Sequence, residues 1–329
     1  MTQNTKICFS CCNNKRLSEE HVIPQALGGK LSAWIYCVDC NSQFGAEIDS
    51  ELIKNIQFFG TALDIKRVRG KNKPYDVALA KNGTKLTFDG REFKRKKPIV
   101  KIEKDGDKIK YVDVTARSEG ELRKICSNIK KKYDLFDEIK SFEEKHPGPT
   151  DTVTEYEFDN EQIRRCVAKI AYSLLCVKLP SDQVLSNAFD EVRNYIRFGA
   201  KNHLSSANYV NTGFMTDGIR PLHKIHIRLN RRKNLVIGFV CLFGTFRYTT
   251  LLSREFRSAL DWPGIDHTID PITSKFIEGN PSFRAPELDI SDVISPKHSK
   301  QQVLRALAKG HEIISNYHSS HKFLKIETE

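Results

Sequence analysis

Apolar residues recur at Phe44, Ile48, Leu52 and Ile56 within CNSQFGAEIDSELIKNIQFFG, the repeat that lines one face of a helix. Asn41, directly after Cys40, stands at the start of that helix. Upstream, SEEHVIPQALGGK lies between two cysteine pairs, so the first segment reads as a knuckle, a hairpin and a helix. From about residue 61 to 118 the pattern changes to short alternating stretches, YDVALAKNGTKLTF and KKPIVKIEKDGDKIKYVDVTA, broken at Asn82-Gly83 and Asp105-Gly106. Such dipeptides favour tight hairpin turns, and antiparallel sheet is expected there. Residues 119–145 turn helical and strongly charged, and HPGPTDT at 146–152 has the composition of a linker. Beyond it, NEQIRRCVAKIAYSLLCVKL predicts an amphipathic to buried helix, and SDQVLSNAFDEVRNYIRFG a second one capped at Ser181 and Gly199. HKIHIRL, NLVIGFVCLFG and FRYTTLLS then predict strands of a small sheet packed on those helices, and a further helix is expected near 299–316.

These elements describe an α+β chain of three regions: an N-terminal module at 1–60, a β-rich then helical region at 61–150, and a helix-plus-sheet C-terminal domain at 151–329. A length of 329 residues exceeds what one hydrophobic core usually organises. No apolar run approaches the roughly 20 residues that span a bilayer. Met1 to Lys6 are polar, without the basic and apolar segments of a secretory signal. A cytoplasmic protein with no membrane partner is the expectation.

The formal charge is +12 and the pI near 9.2, a balance that favours polyanionic partners because Lys and Arg release counterions when they neutralise phosphates. The surplus is uneven. The first sixty residues are near neutral, whereas 61–150 carry roughly nine excess positive charges, so the middle region is the better candidate for holding DNA. Basic clusters stand at Lys94, Arg95, Lys96 and Lys97, at Lys130 to Lys132, and at Arg231, Arg232 and Lys233; each alone is as readily a solvated surface.

Of nine cysteines, Cys126, Cys166, Cys176 and Cys241 sit singly in apolar surroundings and read as small buried hydrophobes, which suits a reducing compartment. Cys8-Phe-Ser-Cys11 and Cys37-Val-Asp-Cys40 are different. Four soft sulfurs in two close pairs are what a closed structural Zn²⁺ site requires. Cys12 stands beside Cys11, and spacing does not decide between them. A closed sulfur shell leaves no position for substrate, so this metal would be scaffold, and the chemistry must lie elsewhere. A bound zinc supplies folding free energy that a sixty-residue segment lacks.

The order E-H-V-I-P, then G-G, then C-x-x-C-N resembles the HNH endonuclease family over residues 8 to about 52, in particular its zinc-bearing branch, where a treble-clef zinc site braces a ββα-metal active site. The resemblance implies hydrolysis of DNA phosphodiester bonds, leaving 5′-phosphate and 3′-hydroxyl ends, in a restriction, defence or mobile-element setting; RNA stays open as a substrate. It also implies His21 as general base, a task suited to an imidazole near neutral pH, and Glu20 and Asn41 as ligands of Mg²⁺ or Mn²⁺. Adjacent strand residues face opposite ways, so a bulge or twist is needed for Glu20 and His21 to reach one phosphate. Where many members carry the middle Asn, this chain has Ser32. Asp49 lies about 12 Å along the helix from Asn41 at 1.5 Å per residue, too far to share one ion easily, and is expected to be structural; Glu47 is the other acid nearby. Gly28 and Gly29 are expected to serve the turn and Pro24 the strand exit. His223 and His226 are expected to face solvent. The rival reading is a zinc-containing DNA-binding module without catalysis.

Overall fold

The structure, a computed structural model, describes residues 5–65, 75–80, 85–88, 90, 93–106, 108–116, 118–133, 152–153, 157, 159–199, 203–210, 220–257, 264–278 and 288–326. The chain opens with β1 (Thr5–Ile7), β2 (Asn14–His21) and β3 (Ser32–Cys37), an antiparallel sheet in that order. Helix α1 (Val38–Phe44) follows directly, then a π-helical turn (Gly45–Asp49) and α2 (Ser50–Ala62). Phe44, Ile48, Leu52 and Ile56 are all buried, as their spacing predicts. The π turn widens the helix locally and leaves two successive residues, Ile48 and Asp49, facing the core.

The next segment forms a compact unit of its own, Asn72–Tyr156. Within it β4 (Tyr75–Ala80), β5 (Lys85–Phe88) and β6 (Phe93–Arg95) form meandering neighbours. Strands β7 (Ile99–Asp105) and β8 (Lys108–Thr115) make a separate hairpin whose end pair is Asp105 and Lys108. Gly106 takes the left-handed conformation at φ +61 that this turn requires. Helix α3 (Glu119–Tyr133) buries no side chain, and β9 (Thr152–Val153) completes the sheet in the order β6-β5-β4-β9. The Asn82-Gly83 turn, the side chains of Lys94 and Arg95, residues 134–145 and nearly all of the linker lie outside the described residues.

Helix α4 (Glu161–Lys178) starts where Asn160 Oδ1 accepts the Ile163 amide at 2.9 Å. The single helix expected from Ser181 to Gly199 is instead α5 (Ser181–Val184), a 3-10 turn (Asn187–Phe189) and α6 (Asp190–Phe198). The break follows from a side-chain contact. The buried Arg193 guanidinium takes the carbonyls of Val184 at 2.8 Å and Ser186 at 3.0 Å, acceptors that a continuous helix would have used internally. Strands β10 (Ser205–Ala207), β11 (His223–Asn230), β12 (Leu235–Leu242), β13 (Phe246–Ser253), β14 (Ile265–Ile269) and β15 (Phe276–Ile277) form one antiparallel sheet, ordered β10-β13-β12-β11-β14-β15. Helices α7 (Ile290–Ile294) and α8 (Lys300–Ile326) close the described chain. Among the described residues no helix is long and apolar enough to cross a membrane.

The N-terminal segment and the C-terminal region, read separately in the sequence, form one compact unit, Met1–Lys71 with Glu157–Glu329. The small sheet and its helix have too little apolar surface to close a core, and α4 covers them. Tyr36 and Ser173 share a hydroxyl hydrogen bond of 2.9 Å, and the Tyr172 hydroxyl donates to the Phe9 carbonyl at 3.0 Å. Phe59 of α2 packs edge-on against Phe246 with ring centres 5.0 Å apart.

His223 also departs from expectation: it is fully buried, because β11 lies inside the sheet between β12 and β14. The Phe243 amide donates to its Nδ1 at 3.0 Å, so Nε2 carries the proton and donates to the Leu27 carbonyl at 2.7 Å. The C-terminal sheet thereby grips the turn after His21. His226 is likewise largely buried, with Nδ1 2.6 Å from Asp266. Gly28 and Gly29 serve this turn as expected: Gly28 has φ +93, and a Cβ on Gly29 would lie 1.9 Å from the Ile23 carbonyl oxygen.

Burial holds the His223 imidazole down at about 4. A depressed folded-state value means that the native chain resists protonation, so stability is present above the ordinary histidine value and is lost as pH falls through it. Urea unfolding should show a loss of about 3 kcal/mol between pH 6.5 and 4 from this group, and His223→Gln should flatten that part of the profile.

Candidate active site and zinc site

The knuckle between β1 and β2 and the junction of β3 with α1 bring the Sγ atoms of Cys8, Cys11, Cys37 and Cys40 within 4.8 Å of one another. Tetrahedral sulfurs at 2.3 Å from zinc are about 3.8 Å apart, and Cys11 and Cys37 are separated by 4.0 Å. The donor set and spacing therefore fit a structural zinc. The Cys37 amide donates to Cys8 Sγ at 3.2 Å, a bond that orients a thiolate ligand. Cys12 is exposed, takes a left-handed φ of 56 and is not among the clustered sulfurs, which decides the alternative in favour of Cys11.

The knuckle also shapes the adjacent hairpin. Pairing passes from Ser18 with Tyr36 to Glu19 with Trp34, leaving Ile35 as a bulge on β3. The Ile35 carbonyl accepts the Phe9 amide from the knuckle at 2.9 Å, so the cysteine knuckle and the bulge hold each other. Past the bulge, Glu19 faces Trp34, Glu20 faces Ala33 and His21 faces Ser32. Alternation persists here: Glu19, His21, Ser32 and Trp34 share the open side, and Glu20 turns inward.

His21 is partly exposed on that open side, with Nε2 3.3 Å from the Gln25 amide nitrogen. That amide donates to Nε2 in the tautomer with its proton on Nδ1. Partial burial lowers the His21 value below the ordinary histidine range; Lys30 and Lys169 push the same way, against Glu19. The imidazole is thus neutral at pH 7, and it accepts a proton at Nε2 when water takes the place of the Gln25 amide there. Ser32, at the position of the missing Asn, donates to Glu19 Oε1 at 2.7 Å. Asn41, from the first turn of α1, donates to the Glu19 carbonyl at 2.9 Å and to Ser18 Oγ at 3.0 Å, strapping β2 to the helix two residues before the base.

Residues 6–57 match the HNH endonuclease family. No curated protein and no solved structure matches the chain.

Within this HNH segment the resemblance assigns Glu20 and Asn41 to a divalent ion, and Glu20 does not fit that role as arranged. Glu20 is buried, and its carboxylate meets the ammonium of Lys169, from α4, in a short ion pair. The same ammonium lies 2.6 Å from Asp49 Oδ2, and Cys166 Sγ donates to Asp49 Oδ1 at 3.1 Å. Asn41 donates from its amide nitrogen to β2, which leaves Oδ1, the atom a divalent ion would take, out of those bonds. Glu20 and His21 leave opposite sides of the strand, so the bulge does not bring both to one phosphate. Glu47 points to Arg165 at 3.4 Å and to Gln43 at 3.1 Å. The expectation of a structural Asp49 agrees with its burial; the partner holding it had no signal in the local sequence, because Lys169 is 120 residues away.

Burial and the neighbouring Asp49 raise the Glu20 carboxyl above the usual range against the pull of Lys169. Burial opposes the charge on Lys169, and Asp49 and Glu20 outweigh it, holding the ammonium above the ordinary lysine value. Removing the cation strands two buried acids, whereas Glu20→Gln mimics the carboxyl in its neutral form. Lys169→Met should cost about 3–5 kcal/mol, with Glu20→Gln costing clearly less, as read from urea unfolding at pH 7. Cys40→Ser should abolish stoichiometric zinc, measured by metal analysis, and make residues 5–44 the first site of proteolysis.

Proposed function

We propose that the HNH segment hydrolyses phosphodiester bonds of DNA, with His21 as the general base that deprotonates the attacking water. The observation carrying this reading is His21 itself: neutral at physiological pH, open to solvent, and held on a hairpin braced by the sulfur cluster on one side and by Asn41 on the other. The Gln25 amide covers Nε2 and gives way to the attacking water. Glu19 is the acid on the same face, and Asn41 and Ser32 hold it and the strand in place. Trp34, 63% exposed on the same face, offers a surface on which a base can stack. The exposed Lys131 and Lys132 at the end of α3, in the middle unit, are suited to phosphate contacts. A role in restriction, defence or mobility would follow from the family and not from the fold.

A specific observation favours a second reading. Glu20 is withdrawn from the open face, as it would be in a zinc-containing DNA-binding module that does not cleave.

Conversion of supercoiled plasmid to nicked or linear forms, followed with and without added Mg²⁺ or Mn²⁺, separates the two. Wild type should cleave, and His21→Ala should cleave more slowly by about 100-fold to 10,000-fold. Bound but uncut plasmid for folded, zinc-loaded wild type would support the second reading. For the catalytic reading the sign of the pH dependence is set by a base that must be unprotonated: kcat/KM should rise with pH through a value below 6.5 and be flat by neutrality.

A further inference from the structure

The inner side of β2 is built around one cation. Lys169 is fully buried on α4, and its ammonium lies between Glu20 of β2 and Asp49 of the π turn. The surrounding wall is closed. Tyr36 is fully buried and bonded to Ser173, one helical turn along α4 from Lys169, while Cys166 covers the remaining oxygen of Asp49. A divalent ion at Glu20 would have to displace this ammonium and leave it charged and unsolvated, an outcome that a low-dielectric interior strongly disfavours. Such an ion would also lie across the strand from His21.

We propose that Lys169 is a built-in counter-ion that takes the place of a Glu20-bound divalent cation, so that helix α4 completes the nuclease module and Glu20 is a positioning residue. Glu20, Asp49 and Lys169 lock the hairpin, the π turn and α4 together, and set the strand from which His21 projects. Reaction at His21 then has no requirement for an ion held by Glu20. This extends the nuclease reading, but its test does not pass through cleavage.

The test is binding of Mn²⁺ to the whole 329-residue chain, zinc-loaded, with free Mn²⁺ measured by electron paramagnetic resonance for wild type, Glu20→Gln, Lys169→Met and the double variant. Wild type and Glu20→Gln should bind Mn²⁺ equally, within about twofold, whether strongly at another place or not at all. Lys169→Met should gain a site at least tenfold tighter than any in wild type, and adding Glu20→Gln should remove it. A wild-type Mn²⁺ site weakened tenfold or more by Glu20→Gln overturns the proposal. So does a folded Lys169→Met that gains no site. If Lys169→Met does not fold, the comparison of wild type with Glu20→Gln still decides. A protein that cleaves nothing leaves every arm of this measurement readable, so failure of the nuclease reading and failure of the counter-ion proposal are separate results.

Discussion

An ammonium with no access to water must be neutralised where it stands, and Lys169 is neutralised by acids from two other elements. One is on the hairpin that carries His21, and the other is on the π turn of the following helix. Either acid without the cation would be a buried charge lacking compensation, and so would the cation without the acids. The three groups therefore tie the position of α4 to the geometry of the HNH segment. That mutual requirement explains why the first sixty residues and the C-terminal region form one compact unit, although the resemblance covers only the former.

A second constraint reaches the hairpin from its other end. The sulfur cluster organises the knuckle, the knuckle holds the bulge at Ile35 through the Phe9 amide, and the bulge sets which residues of β2 stand opposite β3. His223, from the C-terminal sheet, secures the turn beyond His21 through the Leu27 carbonyl. The candidate base thus projects from a short strand fixed at the sulfur-cluster end, along its inner face and at its exit. Such support on several sides is what holds a catalytic side chain in a narrow range of orientation.

The two faces of β2 divide the work. Outward lie a neutral imidazole, an acid, a hydroxyl and an exposed indole; inward lies an ion network largely shielded from solvent. Catalysis by a general base needs the first environment, because water and substrate must arrive there. Holding a strand rigidly is served by the second.

Much of this was legible in the sequence. The two C-x-x-C pairs identify the sulfur cluster, since few other arrangements of thiols suit a small segment; the repeat Phe44, Ile48, Leu52 and Ile56 identifies the buried helix face; and E-H-V-I-P marks His21. Alternation also states that Glu20 and His21 part company, but not which of them turns inward. That choice depends on what covers each face, and the covering residue, Lys169, is 149 positions from Glu20. The break at Ser186 has a similar origin, because it follows from where the Arg193 guanidinium is buried and not from helix propensity. His223 looked like a solvent-facing strand residue because nothing local reveals that β11 is an inner strand. Local pattern, then, determined the elements and the candidate chemistry; tertiary packing alone decided the partners of the charged groups, since a buried charge is placed by whichever distant segment can neutralise it.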